Sequence, residues 1–466
     1  MTSSRKNLHG THSSSSQFLV TPFRPTSDEK LLRSIIRLAI PMVTEVLLES
    51  AFSVVDIFWV SKLGSGAISV VGLTEPLVSL ILSTSMGLGI ASGAVVARRV
   101  GEKATDQVGL AAAQALILSG CLSVLLGIVG WCTASVWLRL LGASSLQIVL
   151  WSSYSRLLLG GCSTIIFISV FNALFRAVGD PAVCVRTLWL ANSANLLLDP
   201  ILMFGIGRFK GFGIAGAAIA TTSGRSIGIL YQMIVVARKH SKLTIRKSHF
   251  RFDSHNMMSI FKTANAGIAQ FYISDISWVA VAKFIQHSGA EALAAYVIAL
   301  RIVNVTVLPG WGLGNAAATL VGQNLGAHKP ERAERAVWMT GKYAALLLAF
   351  LGGADILLSA TIVQWFSPSD VVTSEAAVDL AILGTGFVFY AYSILMAEAF
   401  GGAGDTITPT LVSIFCYWCI QIPLAWILSD HWGARGAIVT VPMVEGLYAA
   451  ICIVLFRRGT WKSQTL

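Results

Sequence analysis

Three carboxylates, Glu45, Glu49 and Asp56, stand 4 and 7 residues apart in a segment otherwise built mainly of Val, Leu, Ala, Ser and Phe. On a helix turning about 100° per residue they fall within about 40° of one another, as one acidic stripe. Such a stripe inside an apolar helix can relay protons or offer hard oxygen ligands to a cation. Glu45 and Glu49 read equally well as structural groups bonded to a neighbouring helix. Asp56 lies closer to the turn at Lys62, where charge costs less.

A second group follows. Asn195 and Asp199 stand at i and i+4, directly before Pro200. That proline removes a backbone donor and frees a carbonyl about one turn earlier. Carboxylate, amide oxygen and freed carbonyl together suit Na⁺ or a shared proton; the plainer alternative is an aspartate capping a helix beside its proline. The next segment opens Gly213-Ile-Ala-Gly216-Ala-Ala-Ile-Ala-Thr221, small residues that let helices approach and a hydroxyl to present to a neighbour.

The elements that must position these groups are membrane spans. Of 466 residues, 55% are hydrophobic and 12% charged, against roughly 25% charged in an average soluble domain. Apolar runs such as Ala113–Val136, Leu157–Val170 and Ala344–Leu358 approach the roughly 20 residues that a hydrocarbon core requires. Twelve spans are predicted, near 33–61, 66–97, 106–134, 146–176, 181–204 and 213–237, then near 256–286, 290–325, 333–358, 371–400, 407–428 and 434–456. The expected organisation is a tail over 1–32, an N-terminal lobe over 33–237, a linker over 238–254, a C-terminal lobe over 255–457 and a short tail over 458–466.

The net charge of +11 has a simpler account than nucleic acid: basic residues gather in cytoplasmic loops. Arg98, Arg99 and Lys103, the linker with Arg238, Lys239, Lys242, Arg246, Lys247 and Arg251, then Lys329, Arg332 and Arg335, and finally Arg457, Arg458 and Lys462 all fall on one side if the N-terminus is inside. Both termini are therefore expected in the cytoplasm. The seven cysteines are odd in number and lie in apolar stretches, so they read as small hydrophobes rather than a disulfide framework. The first 30 residues are Ser-rich and basic with no signal-peptide core, which fits a cytoplasmic tail or an organelle transit segment.

An internal repeat ties the two sets of spans together. Gly87-Leu-Gly89 matches Gly312-Leu-Gly314, Gly101 matches Gly326, Phe175 matches Phe400, and Gly179-Asp180 matches Gly404-Asp405, each pair differing by 225 (404 − 179 = 225). Gly213 and Gly216 then pair with Gly433 and Gly436 at an offset of 220. Six spans per repeat is an even number, so the expected architecture is two six-helix lobes of the same orientation, related by a pseudo-twofold axis along the membrane normal.

The pattern Asn195-Leu-Leu-Leu-Asp199-Pro200, the Gly213–Thr221 stretch, Asp56 in the first span and Phe-Arg-Ala-Val-Gly-Asp-Pro at 175–181 resemble the multidrug and toxic compound extrusion (MATE) family, its DinF-like branch above all. The resemblance covers roughly 33–457. It implies efflux of organic, often cationic compounds by antiport against inward H⁺ or Na⁺, with no other cofactor. It also implies that Asp56, Asp199, Asn195 and Thr221 form the cation-coupling site, with Ala217 as a backbone-carbonyl ligand. Phe52 stands where some members have Tyr, which leaves the coupling ion open between H⁺ and Na⁺.

In the second half Pro423 is taken as the counterpart of Pro200, and Ile422 then occupies the place of Asp199, so the ion site is expected in one lobe only. Asp275 and Glu398 are acids of that half without a motif match. Phe52, Asp275, Tyr272 and Trp311 are candidates for a substrate cavity, and Trp278, Phe389, Tyr390 and Tyr392 extend the aromatic set. A flippase for a lipid-linked precursor is the main alternative; it calls for a basic cavity, and Arg156, Lys283 and Arg301 are the main basic residues noted in the spans. An intramembrane enzyme is disfavoured, since no HExxH occurs. The expectation is thus a monomeric multi-pass protein of a bacterial inner membrane, or an organelle membrane, that binds lipid and small organic molecules but no nucleic acid.

Overall fold

The structure, a computed structural model, describes residues 27–366 and 370–464, without the side chains of residues 27, 52–54, 65 and 255. The N-terminal half comprises α1 (Ser27–Ser61), α2 (Ser65–Gly101), α3 (Thr105–Leu140), α4 (Ser145–Gly160), α5 (Ser163–Ala177), α6 (Pro181–Phe204) and α7 (Ile214–Ala237). The C-terminal half comprises α8 (Ser254–Gln286), α9 (Ala290–Gly326), α10 (Pro330–Leu357), α11 (Ser359–Gln364), α12 (Asp370–Gly384), α13 (Phe387–Ala403), α14 (Ile407–Ser413), α15 (Ile422–Trp432) and α16 (Ala434–Arg458). Among the described residues β structure is limited to one isolated bridge, Ile206 with Phe209. Among the described residues nine helical stretches are long and apolar enough to span a bilayer, and the bent pair α12–α13 makes ten. The polar residues of α6 and α7, Asn192, Asn195, Asp199, Thr221 and Arg225 among them, lower the hydropathy of these two helices. They complete twelve.

Several spans differ from plain rods. α1 starts at Ser27, so the end of the expected 1–32 tail is helical, while 1–26 lies outside the described residues. The fourth span breaks after Gly160-Gly161, a pair that forms helix poorly. The tenth bends by 53° between Gly384 and Phe387. In the eleventh, residues Ile414–Gln421 adopt a π-helix. The C-terminal segment does not run free: Trp461 is fully buried and stacks on Phe456 at 4.5 Å, and Lys462 Nζ reaches Glu334 Oε2 at 2.6 Å.

The two lobes exchange parts. Leu31, Ile35, Leu38, Ala39 and Met42 of α1 sit in the hydrophobic core of the C-terminal lobe, whereas Val60 at the other end of α1 packs in the N-terminal lobe. α8 does the converse, with Ile260 and Ala264 in the N-terminal core and Val281 and Ile285 in the C-terminal core. Ile35 and Ala39 differ from Ile260 and Ala264 by the repeat offset (260 − 35 = 225), so the exchange is symmetric.

Close backbone approaches obey the same symmetry. A Cβ on Gly87 would strike Ile268, and one on Gly312 would strike Val43, where 268 − 43 = 225. At the end of the bundle that carries Arg98 and Arg99, a Cβ on Gly101 would strike the Gln323 carbonyl and one on Gly326 the Arg98 carbonyl, where 323 − 98 = 225. These contacts close the lobes against each other at that end. The linker and Lys462, bonded to the first turns of α3 and α10, bring the other basic clusters to the same end.

One register changes. Gly216 packs on the Leu202 carbonyl and Gly436 on the Leu428 carbonyl, and 428 − 202 = 226. The π-helical stretch accounts for the extra residue, because each such bulge adds one position to a helix. The counterpart of Asp199 is therefore Ala425 rather than Ile422, and Asn195 corresponds to Gln421. The offset then falls to 220 across the longer N-lobe loop, and Gly213 (φ 58°, ψ −136°) and Gly433 (φ 62°, ψ −146°) share one left-handed conformation at the starts of α7 and α16.

Candidate ion-coupling site and central cavity

Asp56, Asn195, Asp199, Thr221 and Ala217 come together from α1, α6 and α7. Gly216, Gly224 and Gly228 let α7 lie directly on α6, so that Thr221 faces the Asn195/Asp199 side. Thr221 Oγ1 lies 3.0 Å from Asp56 Oδ2 and 2.8 Å from the Ala217 carbonyl, so its single proton serves one of them at a time. Asn195 Nδ2 donates to Asp199 Oδ1 at 3.3 Å, and the Asp199 and Asn195 side chains lie beside the Asp56 carboxyl. Asp199 is 0% exposed and Asn195 1%.

Three oxygens at this point, Asp56 Oδ1, Asn195 Oδ1 and Asp199 Oδ2, are buried without a protein donor. Two carboxylates side by side with orphaned oxygens are costly unless a positive charge joins them. Among the described residues no three His, Cys, Asp or Glu side chains converge as a metal centre. The donors present, carboxylate, amide, hydroxyl and main-chain oxygens, fit a proton or a small monovalent cation.

The C-terminal lobe has no equivalent. The positions related to Asp56, Asp199 and Thr221 hold Val281, Ala425 and Val441, all buried at 1% exposure or less.

Between the lobes lies a cavity of about 360 Å³. Glu45, Glu49, Arg176, Arg225, Trp311 and Glu398 are among its lining residues. Glu45 is 2% exposed and pairs with Arg176 of α5, leaving Oε2 without a donor; Glu49, one turn on, is open to the cavity. Arg225 stands one turn beyond Thr221 on α7, with Asp56, Glu49 and Tyr154 as charge neighbours. It therefore lies between the carboxylate pair and the cavity. Glu398 reaches in from α13, opposite Arg176.

Sequence reasoning had passed over both arginines. Arg176 stands inside the 175–181 motif, and Arg225 follows Thr221 by four residues on the same helix face, which was the signal to find it. Of the aromatic candidates, Trp311 lines this cavity; the Phe52 side chain lies outside the described residues. Tyr272 and Asp275 instead join α8 to α2. Tyr272 Oη contacts Thr84 Oγ1 at 2.6 Å and the Leu80 carbonyl at 3.1 Å, and Ser83 donates to Asp275 at 2.7 Å.

A twelve-span bundle of two related lobes, with the Asp56/Asp199 pair in one lobe and a cavity between them, defines a polytopic membrane transporter. The MatE family profile matches residues 41–201 and 268–427. The chain belongs to this family, that of the MATE transporters. It is 24% identical over 413 residues to the probable multidrug resistance protein YoeA of Bacillus subtilis, covering 87% of this chain and 88% of that one. It is also 24% identical over 428 residues to the FAD transporter of Shewanella oneidensis, covering 91% and 94%. Among solved structures, an outward-facing multidrug resistance MATE family transporter superposes with a TM-score of 0.86 at 24% identity, over 95% of this chain and 100% of that one.

Proposed function

We propose that this chain is a secondary transporter, not an enzyme, that expels small organic compounds from the cytoplasm in exchange for inward-moving H⁺ or Na⁺, as a monomer in a bacterial inner membrane. The observation that carries this reading is the pair of half-buried Asp56 and buried Asp199, with its orphaned oxygens, one helix face away from the inter-lobe cavity. One entering cation satisfies both carboxylates and removes the charge that Arg225 balances. A ligand shifts the equilibrium between the two facings only by its unequal affinity for them, so the pair must be more exposed to the ion in one facing than in the other. Glu45 and Glu49 lie along the same helix toward the cavity floor, where a relay would run. The relatives named for multidrug resistance and multidrug export support the organic substrate.

The test is Asp199→Asn, assayed by efflux of a fluorescent organic cation under separately imposed Na⁺ and H⁺ gradients. Loss of efflux with intact expression supports the reading. Normal gradient-driven efflux by that variant overturns it.

Arg176 and Arg225 favour a second reading of the substrate, one bearing an anionic group, for which the Shewanella FAD transporter is a compatible relative. The two arginines share this lining with three carboxylates, Glu45, Glu49 and Glu398, so the cavity is not net basic, which weakens the flippase alternative. A fluorescent rhodamine methyl ester compared with its free acid separates the two: preferential export of the free acid supports the anionic reading, and preference for the ester supports a cationic one.

A further inference from the structure

The segment joining the lobes is held at a fixed place on the flank of α3. His249, 5% exposed, sets its Nε2 3.0 Å from Asp106 Oδ1, and its Nδ1 accepts from the Arg246 N–H at 3.2 Å. Gln114 Nε2 donates to the Arg251 carbonyl at 2.6 Å, and the Asp253 N–H donates to Gln114 Oε1 at 3.2 Å. Gly109 leaves room for the imidazole, since a Cβ there would overlap the ring. Leu243, fully buried, fixes the earlier part of the segment in the N-lobe core.

This docking sets a depth. Gln114 follows Asp106 by eight residues, about 12 Å along a helix axis rising 1.5 Å per residue. Residues 249–253 therefore descend along α3 by about 12 Å from its first turn, more than the thickness of a headgroup layer, which is about 7 Å on each side of the hydrocarbon.

The exposed side chains of this segment are of two kinds. Arg238, Lys239, Lys242, Arg246, Lys247 and Arg251 are exposed, with Asp253 the single acid between 238 and 253; Arg246 also lies 3.7 Å from Asp106. Phe250 and Phe252, interleaved with Arg251, are 50% and 72% exposed. A linker meant only to be solvated has no use for two bare phenylalanines. Aromatic rings beside basic side chains at the start of a membrane span match the boundary between acyl chains and negatively charged headgroups.

We propose that residues 238–253 form a binding site for anionic phospholipid of the leaflet on that side, with Phe250 and Phe252 entering the interface and the lysines and arginines pairing with headgroup phosphates. Bound lipid then fixes the point at which α8 begins, immediately after Asp253, and α8 is the helix that runs from one lobe's core into the other's.

The test uses the full chain in nanodiscs of phosphatidylcholine alone or mixed with phosphatidylglycerol, and reads amide hydrogen exchange across 244–253. The turn at 327–330, another basic turn at the same end, serves as control. Exchange in 244–253 is expected to slow by about tenfold in the anionic discs, since several basic residues each contribute to lipid attraction, with little change at the control turn. K242Q/K247Q/R251Q, which leaves the contacts to α3 in place, should lose this response. F250S/F252S should exchange faster in both lipids. Equal exchange of the unaltered chain in the two discs overturns the proposal and leaves the basic face to a soluble acidic partner. An equal slowing at the control turn overturns the assignment to this segment.

Discussion

Gly322 faces Ala97, its own counterpart in the other half (322 − 97 = 225), and a Cβ built on Gly322 would stand 2.7 Å from that of Ala97. Two equivalent positions can touch only where the symmetry axis passes. Ala97 and Gly322 therefore mark the axis near the closed end of the bundle, one turn from the Gly101/Gln323 and Gly326/Arg98 crossings.

A valine at Gly326 should prop this end open. The substituent meets the backbone of Arg98 rather than a side chain that can swing aside. Overpacking of this kind costs about 1–3 kcal/mol, enough to shift the equilibrium between facings by roughly 5- to 150-fold. Spin labels near positions 103 and 328 should move apart in G326V, and efflux should fall. An unchanged distance distribution argues that the closure tolerates the extra bulk.

Removing one partner of the Glu45–Arg176 pair should be worse than removing both. R176Q leaves Glu45, 2% exposed, without its counter-charge, and breaking a buried pair costs about 3–5 kcal/mol. A lower melting temperature is expected for R176Q, with most of the loss recovered in E45Q/R176Q. A double variant that melts no higher than R176Q contradicts a pairwise role.

Thr221→Val keeps shape but deletes the hydroxyl beside Asp56. A hydrogen bond to a charged group contributes about 1.5–3 kcal/mol, so initial efflux rates should drop about 10- to 100-fold at a limiting ion gradient and recover as the gradient is raised. Rates equal to the parent at every gradient place Thr221 outside the coupling step.

The docked C-terminal segment should matter for stability. Trp461→Ala opens a hole against Phe456, worth about 3–5 kcal/mol for a fully buried aromatic. Lys462 contributes separately. Its hydrogen bond to Glu334 holds the ammonium above its ordinary range, so its contribution is present below the ordinary lysine value and is lost only as pH rises through the higher folded value. K462M should thus lower the melting temperature by the same amount at pH 6 and pH 9; a difference that vanishes by pH 9 contradicts this pairing.

Much of this architecture was legible in the chain. The constant offset of 225 foretold the axis, and the i, i+4 and i, i+7 spacings gathered the carboxylates correctly because each lies on one continuous helix. What escaped notice was decided between helices. Hydropathy marks Ile35 and Ile260 as buried but carries no sign of which lobe buries them. A π-helix leaves the pattern Ile-Phe-Cys-Tyr-Trp-Cys-Ile as apolar as an α-helix would, so the shift that aligns Asp199 with Ala425 became visible only in the packing of Gly436 on Leu428. Arg176 has no role legible in the 175–181 motif because its partner, Glu45, is distant in sequence.

The exchange of α1 and α8 bears on how such a chain could have arisen. Each half holds the first part of one helix inside the other's core, so a half made as a separate polypeptide would leave its own Ile35-type residues bare and its own base unfilled. Two copies of such a half would cure both defects by trading first helices. The ancestral unit implied by this geometry is a domain-swapped homodimer, and gene fusion would have turned its twofold axis into an internal one, with the Asp56/Asp199 pair present in one half only.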